Sequence, residues 1–409
     1  MISISKLYCG RVEPGDILRY EKSGRKLPTK LLHYAREKKP VVVWNCTRRC
    51  NLHCRHCYSK SSAECDVSEE MTAEEARAFL EDLADFGVPV LLFSGGEPLL
   101  REDLPELAEY AIGLGLRTVI STNGTLITGE LAARLKDIGV SYVGVSLDGV
   151  GEVHDRFRGQ QGAFERALRG MRHCLDHGLK VGVRFTITRE NRTQIPRIFD
   201  LVQGEGLQRA CFYHLVYSGR AEDLQEHDLT HEETRAAVDE IIDRTASLYG
   251  NGHSPEVLTV DNHADGPYLY LRMLREGRPE ADDVYELLRR NGGSSSGRGI
   301  GCVGWSGEVH PNQFWRHVSV GNVRERPFSE IWTDYSNPLM AKLQDRTKHL
   351  HGRCRECRFL RVCGGNCRTR AEAVTGDLWA PDPACYLTDR EIGVESAVTS
   401  STETGRTHG

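Results

Sequence analysis

From residue 41 to residue 217 the sequence alternates short β-rich runs with amphipathic stretches of helical spacing. The β-rich runs lie at 41–45, 89–94, 117–122, 141–148, 180–188 and 209–217, and the helical stretches lie at 72–86, 104–115, 129–139, 163–178 and 194–206. Strands that alternate with helices favour a parallel sheet with right-handed crossovers. Six β/α units suit a partial barrel better than a closed eightfold one, so the pattern predicts an α/β fold, a partial (β/α)6 barrel.

The rest of the chain divides by composition. The sequence predicts an N-terminal extension over 1–40, the barrel over 41–217 and a helical connector over 218–300 that ends in a flexible glycine- and serine-rich linker (291–301). A small cysteine-rich C-terminal domain follows over 301–393, and a disordered tail over 394–409. Chemistry in such barrels gathers on the loops that follow the strands. The loop after the first strand is therefore the first place to look for a site.

Charge and hydropathy exclude some functions. The 409 residues carry a formal net charge of −5, which gives no bulk electrostatic reason to bind nucleic acid. Apolar runs such as 88–96 are far shorter than the roughly 20 residues that a membrane span needs, and the first residues show no cleavable signal pattern. We therefore expect a cytoplasmic protein with no nucleic-acid or membrane partner.

Fourteen cysteines are many for a cytoplasmic protein, where clustered thiols are more often metal ligands than disulfides. Two groups stand out, Cys46, Cys50, Cys54, Cys57 and Cys65 near the start and Cys354, Cys357, Cys363, Cys367 and Cys385 near the end. The scattered Cys9, Cys174, Cys211 and Cys302 are interpreted as small buried hydrophobes.

The spacing Cys50-x3-Cys54-x2-Cys57 follows the first strand directly. Three thiolates on a short loop hold three irons of a [4Fe–4S] cluster, which leaves the fourth iron open to a small molecule. A competing register begins at Cys46 but lacks a close CxxC pair. Zinc is the alternative metal, although a structural zinc site prefers four protein ligands.

This loop, together with motifs at the ends of later strands, resembles the radical S-adenosylmethionine (SAM) superfamily. The matching segments are "SGGEP" (94–98), "STNGT" (121–125) and "SLDG" (146–149). The resemblance implies that SAM is a cofactor and that its contacts come from Gly95, Gly96, Glu97, Asn123, Ser146, Asp148 and Arg184. Of these, Glu97 would bind the ammonium group of SAM and Arg184 its carboxylate. His56 stands where the superfamily usually has an aromatic residue.

The C-terminal cysteines resemble the second half of the SPASM extension, which binds auxiliary iron–sulfur clusters in a subset of this superfamily. Carried over by position, Cys354, Cys357, Cys363 and Cys385 complete one auxiliary [4Fe–4S] cluster. Cys367 would belong to a second cluster, for which only Cys302 is available upstream. A zinc knuckle is the alternative interpretation.

Almost end to end, the chain resembles the SPASM enzymes that modify tetrapyrroles, in the alternative haem pathway and in haem d1 synthesis. The opening "MISISKLYCG" and the block at 258–274 favour the members that remove the C2 and C7 acetates of 12,18-didecarboxysirohaem to give iron-coproporphyrin III. The resemblance implies an iron tetrapyrrole substrate and an electron donor such as ferredoxin or flavodoxin. Two alternatives share the fold, namely removal of propionates in haem d1 synthesis and modification of a peptide.

An anionic iron macrocycle favours arginine and imidazole partners. The candidates are Arg156, Arg158, Arg220, His214, His263, His310 and Arg316. His214, at the end of the sixth strand, is the first choice for a catalytic role because it would face the barrel mouth. An electron carrier or a zinc scaffold remains an alternative from another class, but neither would need "SGGEP", Asp148 or Arg184.

Overall fold

The six β-rich runs form six neighbouring parallel strands, as predicted. In the computed structural model, which describes residues 1–13, 15–20 and 39–394, they lie in one open sheet of eleven strands with the order β1-β8-β7-β6-β5-β4-β3-β2-β9-β10-β11. The strands are β1 (Ile2–Ser3), β2 (Val41–Thr47), β3 (Leu91–Gly95), β4 (Thr118–Thr122), β5 (Tyr142–Ser146), β6 (Val181–Ile187), β7 (Arg209–His214), β8 (Glu256–Val260), β9 (Ile300–Val303), β10 (Glu308–His310) and β11 (Gly321–Asn322). The sheet does not close on itself, which confirms the partial barrel.

Helices separate the strands, and one of them shows how the sequence sets its start. Thr72 Oγ1 accepts from the Glu75 N–H at 3.2 Å, and the Glu75 carboxylate accepts from the Thr72 N–H at 2.8 Å, which is the capping box that the sequence predicts. The α-helices are α1 (Ile4–Leu7), α2 (Asp16–Tyr20), α3 (Ala73–Phe86), α4 (Leu104–Gly113), α5 (Gly129–Asp137), α6 (Glu152–Arg158), α7 (Ala163–Asp176), α8 (Ile195–Gly204), α9 (His231–Gly250), α10 (Asp265–Arg275), α11 (Ala281–Asn291), α12 (Phe328–Thr333), α13 (Pro338–Gln344), α14 (Arg353–Glu356), α15 (Leu360–Cys363), α16 (Arg368–Thr375) and α17 (Asp389–Ile392).

The sheet continues through the boundaries predicted at residues 217 and 301. Strand β8 adds to β7 in parallel, β1 pairs with β8 in the antiparallel direction, and β9 adds to β2 in parallel. The stretch 291–301 is not the flexible linker that its composition predicts. Ser294 N–H donates to the Cys363 carbonyl at 3.0 Å, and a Cβ on Gly293 would collide with that same carbonyl.

Parallel strands covered on both faces bury nearly continuous apolar runs. Phe93, Ile120, Val143, Val183 and Phe212, on five successive strands, are all fully buried between the sheet and its helices. The carboxyl ends of these strands meet at one edge, which positions the site. None of the helices in the described ranges has the length and apolarity of a membrane span. Residues 21–38 of the predicted N-terminal extension and residues 395–409 of the predicted tail lie outside the described residues.

Candidate active site

A cleft with about 1070 Å³ of free space, including solvent at its mouth, lies over the carboxyl ends of the strands. Predicted site residues that line it are Cys50, Cys54, Cys57, Gly95, Gly96, Asn123, Ser146, Arg158, Arg184 and His214. The described structure therefore brings together residues from six strand ends and from one helix. Glu97 and Asp148, also predicted to contact the ligand, do not line the cleft.

Backbone hydrogen bonds hold the cysteine loop after β2 in place. His53 and Arg55 donate their N–H groups to the carbonyls of Arg158 and Phe157, at 3.2 and 3.1 Å. Arg220, a predicted substrate ligand, instead donates its Nε to the Cys54 carbonyl at 2.7 Å. Its role in this structure is to support the loop, because its guanidinium also bonds the Ser61 carbonyl.

The Gly95–Gly96 pair packs against the same loop. Gly96 N–H donates to the Thr47 carbonyl at 2.8 Å, and a Cβ on Gly96 would collide with the Arg49 carbonyl. Gly95 has a φ of 131°, and a Cβ there would collide with the Thr47 carbonyl. A side chain at either position would push the loop away, so these glycines bring the loop close to β3 as well as lining the cleft.

The three loop thiols have the surroundings of cluster ligands. Cys50, Cys54 and Cys57 pack together with Leu52 and Ala163, and burial raises the pKa of Cys50 to about 12. Neutral thiols are therefore favoured until a metal stabilises the thiolates. Among the described residues, no three His, Cys, Asp or Glu side chains are grouped closely enough to hold a single metal ion.

The other two N-terminal cysteines lie elsewhere. Cys46 is fully buried within β2 and its thiol donates to the Ser94 carbonyl at 3.4 Å, which excludes the competing register. The Cys65 thiol lies 3.8 Å from the Lys60 carbonyl and does not line the cleft.

Glu97 lies behind the lining of the cleft, and its predicted contact with the ammonium group of SAM stays a prediction. Its carboxylate is fully buried and accepts from Thr122 Oγ1 at 2.6 Å and from the N–H groups of Asn123 and Leu99 at 2.7 and 3.2 Å. Burial raises the pKa of Glu97 to about 7 despite these donors. The carboxylate thus joins the end of β3 to the end of β4 and does not reach the cleft.

Asp148 does not line the cleft but contacts residues that do. Its Oδ2 lies 2.6 Å from Arg158 Nη2 and 3.5 Å from His56 Nε2, and its Oδ1 accepts from the Thr186 N–H at 2.9 Å. Burial opposes ionisation of Asp148, but the Arg158 charge, His56 and the Thr186 N–H together outweigh it and lower the pKa of Asp148. Arg158 Nη1 in turn donates to Cys54 Sγ at 3.4 Å, so the carboxylate aims a guanidinium at a loop thiol.

Two cleft residues present polar groups to a ligand. The Asn123 amide nitrogen donates to Asn51 Oδ1 at 2.8 Å and lies 4.0 Å from Cys50 Sγ. Arg184 lies 4.8 Å from the Tyr213 ring centroid, and in the part of the chain that the structure describes no carboxylate pairs with it. An unpaired guanidinium in a cleft is suited to an anionic group.

His214 is held by a buried carboxylate. Its Nε2 lies 2.9 Å from Asp265 Oδ2, and Tyr386 donates its hydroxyl to Asp265 Oδ1 at 2.7 Å. Because an ionised carboxylate only accepts, His214 donates this hydrogen bond through Nε2. The sequence placed His214 at the cleft but gave no signal for Asp265 or Tyr386, which lie 51 and 172 residues further along the chain.

The C-terminal thiols form a second group, enclosed by arginines. The thiols of Cys354, Cys357 and Cys385 all act electrostatically on Cys363, whose pKa burial raises well above its usual value. Arg368 acts on the same site, is fully buried, and donates only to the carbonyls of Gly365, Leu378 and Ala380. A buried guanidinium beside four thiols is suited to an anionic iron–sulfur cluster, whose charge would balance it.

Cys367 and Cys302 have different neighbours from this group. Cys367 Sγ accepts from the Arg370 N–H at 3.4 Å, and Cys302 Sγ accepts from Asn45 Nδ2 at 3.4 Å. A second auxiliary cluster thus remains a prediction.

The remaining tetrapyrrole candidates do not line the cleft. Arg156 is exposed on α6, and His310 Nδ1 donates to the Val318 carbonyl at 2.7 Å. His263 has a buried Nδ1 without a partner. Arg316 lies next to the cleft, two residues beyond Phe314.

Asp261 is a cleft residue that the sequence reasoning missed. It follows β8 with a left-handed φ of 65°, and its Oδ2 is buried without a partner. The β-branched run over 256–260 could have revealed this strand and the acid at its end.

Comparison with known proteins agrees with this architecture. A model of the radical SAM superfamily matches residues 44–202, and a model of the SPASM iron–sulfur cluster-binding domain matches residues 297–358. The Fe-coproporphyrin III synthase of Methanosarcina barkeri is 58% identical over 97% of this chain and 100% of the relative. The pre-heme d1 synthase of Dinoroseobacter shibae is 46% identical over 88% and 89%.

Among solved structures, Streptococcus suis SuiB bound to the precursor peptide SuiA superimposes with a TM-score of 0.68 at 18% identity, covering 88% of this chain and 78% of SuiB. This likeness concerns the fold alone.

Proposed function

The chain belongs to the radical SAM superfamily and carries its SPASM iron–sulfur domain, and we propose that it removes the C2 and C7 acetates of 12,18-didecarboxysirohaem to give iron-coproporphyrin III. The observation that carries this proposal is the 58% identity, over the full length of the relative, with an enzyme named for that product. SAM, a [4Fe–4S] cluster and auxiliary iron–sulfur binding follow from the two domains.

In this proposal Cys50, Cys54 and Cys57 would hold three irons of the cluster and leave the fourth for SAM. When bound, the cluster would supply the electron for reductive cleavage of SAM, which would provide the radical chemistry needed at a side chain of the macrocycle. The chain's own residues bind, orient and protect these partners. An electron donor such as ferredoxin or flavodoxin would supply the reducing equivalents.

Arg184 is the residue we assign to the SAM carboxylate, since it is an unpaired cation that lines the cleft. Gly95, Gly96, Asn123 and Ser146 line the cleft near it and would contact the rest of SAM. Glu97 supports this wall by accepting from the Asn123 N–H, and its contact with the ammonium group of SAM stays a prediction.

Arg158 is the residue we assign to the thiolate of Cys54. Its N–H···S contact stabilises negative charge on the sulfur, and Asp148 keeps the guanidinium in that direction. His56, whose pKa burial lowers to about 4, stays neutral and presents a flat ring to the cleft.

His214 is the residue we assign to the tetrapyrrole. Its Nδ1 lone pair is suited to an iron centre or to a proton released during the loss of a side chain, while Asp265 prevents the ring from turning. The four C-terminal cysteines would hold the auxiliary cluster, with Arg368 balancing its charge.

The test is anaerobic turnover of the reconstituted protein with SAM, a reductant and 12,18-didecarboxysirohaem, followed by the mass of the tetrapyrrole. Loss of two acetate groups would support the proposal. An unchanged tetrapyrrole alongside 5′-deoxyadenosine would contradict the substrate, and the haem d1 precursor would then be tested, since a pre-heme d1 synthase is 46% identical.

A further inference from the structure

Two arginines next to the cleft share one indole ring. Arg48 Cζ lies 5.2 Å and Arg316 Cζ lies 4.1 Å from the ring centroid of Trp305. Stacking on an aromatic face orients a planar guanidinium and leaves its edge free to donate. Two like charges on one ring repel each other, so the arrangement favours an anion that bridges or neutralises them.

Neither guanidinium has an acceptor of its own. Arg48 Nε and Arg316 Nη1 are buried without a hydrogen-bond partner, and within the described ranges neither side chain forms an ion pair. Two carboxylates near Arg48 accept hydrogen bonds from other groups, although the Arg48 charge also acts on one of them, Asp66. Glu70 accepts from Thr47 Oγ1 and from the Arg48 backbone N–H, both at 2.7 Å, and Asp66 accepts from Ser68.

Two other arginines of the cleft and its surroundings are paired with carboxylates, whereas Arg184, like Arg48 and Arg316, forms no ion pair within the described ranges. Arg158 pairs with Asp148, and Arg370 pairs with Asp382 through two hydrogen bonds of 2.8 Å. Buried arginines normally have such partners, because a cation without a counter-charge costs free energy. Arg48 and Arg316, which are half-buried, have no such carboxylate partner among the described residues, and an anionic ligand would supply one.

The pair lies at the side of the cleft formed by the cysteine loop and the C-terminal domain. Arg48 precedes Cys50 by two residues, and Arg316 follows the cleft residue Phe314 by two residues. The Tyr58 ring, also in the cleft, lies 5.4 Å from the Phe314 ring, and the Arg316 charge acts on the Tyr58 phenol. An extended ligand held in the cleft could thus place an anionic arm on both guanidiniums.

We propose that Arg48 and Arg316, stacked on Trp305, form a carboxylate subsite that binds propionate arms of the tetrapyrrole substrate. The inference rests on the proposed function, because it takes the macrocycle as the ligand of the cleft. The subsite orients the ring and does not touch the reacting bond. Guanidinium–carboxylate pairs with two parallel hydrogen bonds would fix one edge of the macrocycle and so determine which side chains face SAM.

The test is an anaerobic absorbance titration of the full-length holoprotein with iron-coproporphyrin III and with its methyl ester, in which the carboxylates are neutral. We expect R48Q and R316Q each to weaken binding of the acid by about tenfold to a hundredfold, as for the loss of a charged hydrogen bond, and to leave binding of the ester unchanged. R316K should keep part of the affinity, since it retains the charge but not the planar fork. R169Q, on the exposed side of α7, is the matched control and should bind like the wild type.

Formation of 5′-deoxyadenosine without tetrapyrrole separates this subsite from SAM binding and should be unchanged in R48Q and R316Q. Wild-type affinity of both variants for the acid would overturn the inference and leave the proposed function standing. A third outcome is that the variants keep their porphyrin affinity and their turnover with dithionite but lose turnover with flavodoxin. That outcome would overturn the inference and indicate that the two arginines dock an acidic redox protein. A wild-type protein that binds neither porphyrin would overturn the proposed function and the inference together.

Discussion

The buried charge of Arg368 makes the auxiliary site testable through stability. Arg368 is fully buried beside Cys354 and Cys363, and its described partners are backbone carbonyls. If an anionic cluster balances this charge, the variant C363A should lose the cluster and leave a guanidinium buried without a counter-charge. Breaking a buried charge pair in this way costs about 3–5 kcal/mol.

Losing the cluster destabilises the protein in two ways, by removing a counter-charge and by removing a cross-link between cysteines. A double-mutant cycle separates the electrostatic contribution from the cross-linking one. R368Q keeps N–H donors for the carbonyls but removes the charge. We expect R368Q to destabilise the cluster-loaded protein by about 3 kcal/mol and to be neutral or stabilising in the C363A background. The resulting coupling energy between the two substitutions would lie near the upper end of measured values. R361Q, on an exposed arginine of α15, is the matched control and should change neither background.

The assay is anaerobic urea unfolding followed by far-ultraviolet circular dichroism, with iron and sulfide content measured on each sample. The reasoning would be refuted if R368Q lowered the free energy of unfolding equally in both backgrounds, because the guanidinium would then interact only with the protein. Unchanged iron content in C363A would contradict the assignment of that cysteine as a ligand.

Three further predictions concern the SAM side of the cleft. G96A should lose most of the iron of the first cluster, because its Cβ would collide with the cysteine loop, whereas G113A, whose Cβ meets nothing within 4 Å, should keep it in an iron assay. Burial raises the pKa of Glu97 to about 7, so the stability that the protonated carboxyl contributes is present below pH 4.5 and is lost as the pH rises through 7. Relative to E97Q, the free energy of unfolding of the wild type should therefore fall by about 3 kcal/mol between pH 4.5 and pH 7. Parallel plots of unfolding free energy against pH for the two proteins would contradict the burial argument. D148N should release Arg158 and slow 5′-deoxyadenosine formation by at least tenfold without changing porphyrin affinity, and equal loss of both would indicate a general folding defect.

Local sequence patterns predicted the barrel well because each strand and helix is encoded within a few residues. The capping box of Thr72 and Glu75 and the alternation of apolar runs do not depend on distant contacts. The cysteine triplet was predictable for the same reason, since its three thiols come from one loop. Strands β8 and β9 were missed because the flanking composition is polar or glycine-rich and their pairing partners are distant in sequence.

The roles of Glu97 and Asp148 show why the rest of the site could not be read from motifs. A motif records which residue type is needed but not which way its side chain points. Both carboxylates lie behind the cleft wall, one fixing Asn123 and the other fixing Arg158. Their burial became visible only when the ends of neighbouring strands were brought together.

A buried ion pair between Arg370 and Asp382 connects the C-terminal domain to the cleft. Arg370, in the C-terminal domain, donates to the carbonyls of Leu215 and Asp261, which follow β7 and β8 at the cleft. Asp382 holds this guanidinium and also accepts from the Cys367 N–H at 2.9 Å. One buried ion pair fixes both the cysteine-rich domain and the two strand ends beside His214. A structural change in the C-terminal domain should therefore alter the tetrapyrrole side of the cleft more than the SAM side.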